Sequence, residues 1–157
     1  MENTAITAIA VALHVLTSTW WVGGMLFAYW ILRPAADPMD PPERLKLWGR
    51  VFGAFFKSVW AAIIIIPATG YWLVWEVYQG FANVGQNIHA MHMIGWIMIC
   101  LFLWLYFVPY AAFRRALAND DYPAAGSAIV RIRKLVATNS MLGACNVLIA
   151  GSGAYWG

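Results

Sequence analysis

The chain has 157 residues, 62% of them hydrophobic and 11% charged, with a formal net charge of +3. An ordinary soluble domain carries roughly 25% charged residues, so the composition excludes that class and points to one membrane domain spanning residues 1–157. Nucleic acid is excluded as a partner, because the basic residues flank apolar stretches and are accounted for by topology and anionic lipid.

The first apolar stretch covers about residues 5–32. It lacks a basic leader and is too long for a signal-peptide core, so it reads as a span and not as a cleaved signal. It ends at Arg33-Pro34, and the proline-rich loop Pro34–Pro42 follows. A short amphipathic piece over Pro42–Arg50 is expected to lie on the membrane surface. The second stretch covers about 51–77, with Lys57 one to two turns inside, within snorkelling reach of the headgroups. Pro67 with Gly70 is expected to kink it.

The third stretch covers about 88–113, with Pro109 near its end. The polar turn at Asn119–Pro123 and an amphipathic lead-in then precede a fourth stretch at about 135–156. Each stretch has the ~20 residues that a spanning helix needs. A helix satisfies its own backbone in lipid, so the expected fold is an all-α integral membrane four-helix bundle. Gly23, Gly24, Gly143, Gly151 and Gly153 allow helices to approach closely. Tyr71, Trp72, Trp75, Tyr78, Tyr155 and Trp156 read as interfacial anchors.

All ten Lys and Arg residues fall after stretches one and three, nine in the connecting segments and Lys57 in the first turns of stretch two. They are Arg33, Arg44, Lys46, Arg50 and Lys57, then Arg114, Arg115, Arg131, Arg133 and Lys134. Cytoplasmic loops collect such residues, so both clusters read as cytoplasmic. Both termini and the Glu76–Gln86 connection then face the non-cytoplasmic side.

The chain has three histidines, His14, His89 and His92. At 1.5 Å per residue His14 lies roughly 27 Å above the cytoplasmic boundary, in the outer third of the bilayer. His89 and His92 open the third stretch at a similar depth. A single histidine near an interface is ordinarily a hydrogen-bonded amphipathic residue. Three at one level, inside membrane helices, read as ligands of one metal or cofactor. His89 and His92 are about 60° apart around the helix, so both reach one centre or one supports the other from behind.

Imidazole suits heme iron, copper and zinc. Zinc hydrolysis would need a carboxylate base, for which Glu76 is the candidate. Heme b is the leading expectation, with His14 and His89 as axial ligands and His92 as an alternative or supporting ligand. Trp21 lies on the face of His14, and Gly23 and Gly24 leave room for a macrocycle. The implied role is redox or electron-transfer chemistry near the outer face, with quinone or another redox partner.

Copper binding or import is the alternative, since Met91 and Met93 flank the histidines and thioethers favour Cu(I). An import path would need a homo-oligomer, because the cytoplasmic half offers only Lys57, Ser58, Asn139 and Ser140. A cofactor-free assembly subunit is the third reading. Cys100 and Cys145 lack paired spacing and read as buried, inert thiols.

The run Leu13-His14-Val15-Leu16, through Trp21-Val22-Gly23-Gly24-Met25-Leu26-Phe27 to Leu32-Arg33-Pro34, resembles the first helix of the copper resistance protein D (CopD) family. Pro67-Ala68-Thr69-Gly70-Tyr71-Trp72, Asn87-Ile88-His89-Ala90-Met91, Tyr106-Phe107-Val108-Pro109-Tyr110 and the Arg131–Asn139 lead-in extend the resemblance. It implies a stand-alone four-helix form in a bacterial plasma membrane, linked to copper uptake or resistance. The module is also similar to membrane heme-binding protoporphyrinogen oxidases and, more remotely, to b-type cytochromes. His14 and His89 match those oxidases' histidines, whereas Met91 stands where they carry a lysine, which removes the expectation of that activity.

Overall fold

The structure is a computed structural model that describes residues 2–155. Four helices are long and apolar enough to cross a membrane: α1 (Asn3–Ala36), α2 (Pro41–Glu76), α3 (Gln86–Ala118) and α4 (Tyr122–Ser152). The described residues contain no strand. The chain is an all-α, multi-pass membrane protein. Apolar side chains cover its outside as well as its core, with Trp30 at 70% and Leu148 at 71% exposure. Only lipid makes such a surface stable. Trp156, expected to end the fourth helix, lies outside the described residues.

The helices run further than the apolar stretches. A π-helical turn at Ala28–Leu32 carries α1 past Arg33-Pro34, with the Arg33 amide donating to the Ala28 carbonyl. The widened turn accommodates the proline's missing donor. A second π-helical turn, Tyr106–Tyr110, carries α3 past Pro109. The piece expected on the membrane surface, Pro42–Arg50, is helical and runs without a break into the rest of α2. Pro41 and Pro42 occupy first-turn positions, where a fixed φ helps and no N–H is missed, and Glu43 suits the positive helix end. The α2 helix then continues unbroken across Pro67. At the start of α4, the Asp121 carboxylate accepts from the Ala124 amide at 3.0 Å. From there Ala125, Ala128, Ile129 and Ile132 form one buried face, so the expected lead-in is helix from its first residue.

Short connections leave two antiparallel hairpins, α1 on α2 and α3 on α4, with α1 also packed on α4. All the basic residues gather at one end, called here the basic end, and the histidines sit towards the other. A methyl on Gly143 of α4 would lie 2.7 Å from Val22 Cγ2 of α1 and 3.2 Å from Met98 Cε of α3, so glycine there brings three helices together. Across the α2–α3 seam the contact is made by rings. Phe56 meets Tyr110 edge-on at 4.8 Å and Phe102 at 5.7 Å, and Trp60 meets Tyr106 at 5.3 Å.

Cys100 and Cys145 are free and exposed, not buried as expected. An apolar neighbourhood in the sequence marks an interior only when the solvent is water; here the outer face is equally apolar.

Candidate metal site at the histidine end

His14 projects from α1 onto α2, half-buried, with Nδ1 2.9 Å from Thr69 Oγ1. The Thr69 hydroxyl is 2.7 Å from the Ile65 carbonyl and 3.1 Å from that of Ile66. Its one proton is therefore committed to backbone oxygen, as is usual for a threonine inside a helix. Oγ1 must then accept from His14, which places the ring proton on Nδ1. On that tautomer Nε2 keeps its lone pair, and the Ile66 backbone is the ring's other hydrogen-bond partner. A neutral imidazole donating through one nitrogen is the form that ligates through the other. The ring lies over Gly70, where a Cβ would sit 3.2 Å from His14 Cε1, so glycine at that position makes the seat.

His92 is arranged the other way. The Trp96 indole N–H donates to His92 Nε2 at 3.2 Å, and the Tyr71 hydroxyl is 3.3 Å from the same nitrogen. An indole N–H can only donate, so Nε2 is an acceptor already in use. The Tyr71 and Phe81 rings hold the imidazole at centroid distances of 5.2 and 5.1 Å. His89 is exposed, lies 6.1 Å from Phe81, and makes no hydrogen bond among the described residues. Met93 faces outward at 61% exposure, while Met91 is half-buried and its carbonyl accepts from Asn146.

Thr69 and Tyr71 are two residues apart, about 3 Å in rise and about 200° in direction. His14 and His92 thus meet α2 at one depth but on opposite flanks. The expected convergence on one centre gives way to two sites: His14 between α1 and α2, and His89 with His92 beside Phe81. Among the described residues no group of three or more His, Cys, Asp or Glu could hold a metal ion. Glu76, the candidate base, accepts from Asn3 Nδ2 at 2.7 Å and ties α1 to α2.

Nor do the glycines open a slot. Gly24 receives the Phe55 ring, which a methyl there would overlap, and Gly23 is exposed with nothing within 4 Å of its missing Cβ. Trp21 is 4% exposed and packs edge-on to Phe102 at 6.3 Å, as core. A bis-histidine heme needs two imidazoles facing each other across an open slot, and these residues as packed do not fit one. Cu(I), which accepts few and soft ligands, makes a smaller demand on a prepared Nε2. Sequence reasoning missed Thr69, Tyr71, Phe81 and Trp96. The Pro67–Trp72 run stood out as a motif, but nothing in its spacing names an imidazole as its partner.

Comparison with the curated proteins and with the solved structures gave no match. Residues 49–152 match the family model described as copper resistance protein D. The matched stretch takes in most of α2 and all of α3 and α4, and leaves His14 on α1 outside it. It is well over half of the chain, which therefore belongs to the copper resistance protein D family.

Proposed function

We propose that this protein binds copper as cargo at its histidine end, as a copper-binding or copper-import protein of a bacterial plasma membrane. The positive-inside rule turns the basic end to the cytoplasm and the histidine end outward, where the ion would enter. The observation that carries the reading is the relay Ile65–Thr69–His14, which leaves Nε2 of His14 ready to ligate. His89, exposed and without a hydrogen bond among the described residues, is the ligand at the mouth of α3. His92 positions Tyr71 and Trp96 and does not ligate through Nε2.

The test is Cu(I) titration of the purified protein in detergent against a chromophoric chelator. Wild type is expected to compete, and His14→Ala to bind at least about tenfold more weakly. Equal affinity in a monodisperse variant would overturn the reading. The same Nε2 would serve heme iron, so the absorption spectrum of that preparation bears on the heme b reading. A Soret band lost in His14→Ala would favour the heme b expectation with its quinone or other redox partner, and would mean that the helices repack to bring His89 opposite His14.

A further inference from the structure

A second site lies at the basic end, independent of copper. The π-helical turn of α1 brings Tyr29 and Arg33 opposite Arg133, Lys134 and Thr138 of α4, across a groove of about 530 Å³. A smaller cavity adjoins it, lined among others by Arg133 and Trp48. Each of these two residues holds a buried donor, Arg133 Nε and Trp48 Nε1, with no hydrogen-bond partner among the described residues. The Arg133 guanidinium stands 6.0 Å over the Trp48 ring, and that of Arg33 stands 5.3 Å over Tyr29. Among the described residues, Arg33, Arg133 and Lys134 form no ion pair. Of the charges whose fields reach Arg133, two are cationic, Arg33 and Arg44, and one is acidic, Asp37.

Three cations around one groove, with an unsatisfied Arg133 donor on its wall and that of Trp48 in the cavity beside it, call for an anion with several acceptor oxygens. We propose that the groove binds the phosphate of an anionic phospholipid from the leaflet at the basic end. Arginine's forked donors match phosphate oxygens, and basic recesses between membrane helices on the cytoplasmic side take lipid headgroups. The groove's flanks supply the acyl-chain surface. Val130 on its wall is 48% exposed, and Trp30 and Ile31, next to Tyr29, are 70% and 58% exposed. A free phosphate would gain nothing from that apolar border.

The experiment is native mass spectrometry of the full chain released from mixed micelles containing phosphatidylglycerol and phosphatidylcholine. Wild type should retain phosphatidylglycerol. Arg33→Gln and the exposed Lys134→Gln should each retain about fivefold less. Arg131→Gln removes an equal charge from α4 outside the groove and should behave as wild type. Equal retention in Lys134→Gln, or equal loss in Arg131→Gln, would overturn the proposal. Displacement of the lipid by inorganic phosphate at equal concentration would also overturn it, by assigning the groove to a free anion.

Discussion

Thr69→Val isolates the relay that prepares His14. Valine keeps the shape and the β-branch and removes only the hydroxyl, so the 2.9 Å contact to Nδ1 is lost while the packing around Gly70 stays. Loss of a partner that orients a ligating histidine typically costs ~10–100-fold in metal affinity, or ~1.4–2.8 kcal/mol. The fold should hardly notice. Interhelical hydrogen bonds in membrane proteins average about 0.6 kcal/mol, and the Ile65 carbonyl keeps its helical amide partner. Chelator competition should therefore show weakened Cu(I) binding in Thr69→Val with a thermal midpoint close to wild type. Thr69→Ser, which keeps the hydroxyl, should recover most of the affinity. If Thr69→Val binds like wild type while His14→Ala does not, or if serine fares no better than valine, the hydroxyl does not set the tautomer and the relay argument fails.

Gly24→Ala should lower thermal stability in detergent by about 1–3 kcal/mol, because its methyl overlaps the Phe55 ring. Adding Phe55→Leu should recover part of that loss; no recovery would mean the strain lies elsewhere. Orientation can be read in a Cys100→Ala, Cys145→Ala background. Asn83→Cys, in the connection between α2 and α3, should react with a membrane-impermeant thiol reagent in intact cells. Asn119→Cys, in the turn between α3 and α4, should react only after lysis, and the reverse pattern would invert the topology.

The four spans were legible because their signal is length: each apolar stretch is long enough to cross, and each basic cluster marks an end. Their limits were less legible. Arg44, Lys46 and Arg50 looked like surface residues, yet they sit on the first turns of α2, where long side chains reach water from a helix that never stops. Pro34 looked like a terminator and Pro109 stood near the end of its stretch, yet both helices run on, and the π-helical turns at these prolines absorb the missing donors. At the histidine end, counting residues along the axis puts His14 and His92 at one depth, and their partners on α2 agree. Counting does not give azimuth. Whether two rings face each other depends on which neighbour each helix turns towards, and only packed coordinates hold that information. The relay needed more still, because the Thr69 hydroxyl meets the His14 ring only once α1 lies against α2.

The α2–α3 seam has a mechanical consequence. Edge-to-face rings each contribute only about 0.5–1.5 kcal/mol beyond their burial and keep most of it through modest rotations. Phe56, Trp60, Phe102, Tyr106 and Tyr110 therefore act as a bearing between the two hairpins at the basic half. Near the histidines the same seam is bridged by Tyr71 and Phe81 against a single imidazole. A torque that parts the hairpins would pivot on the aromatic half and gape beside His92, leaving the grip of α1 on α2 around His14 undisturbed.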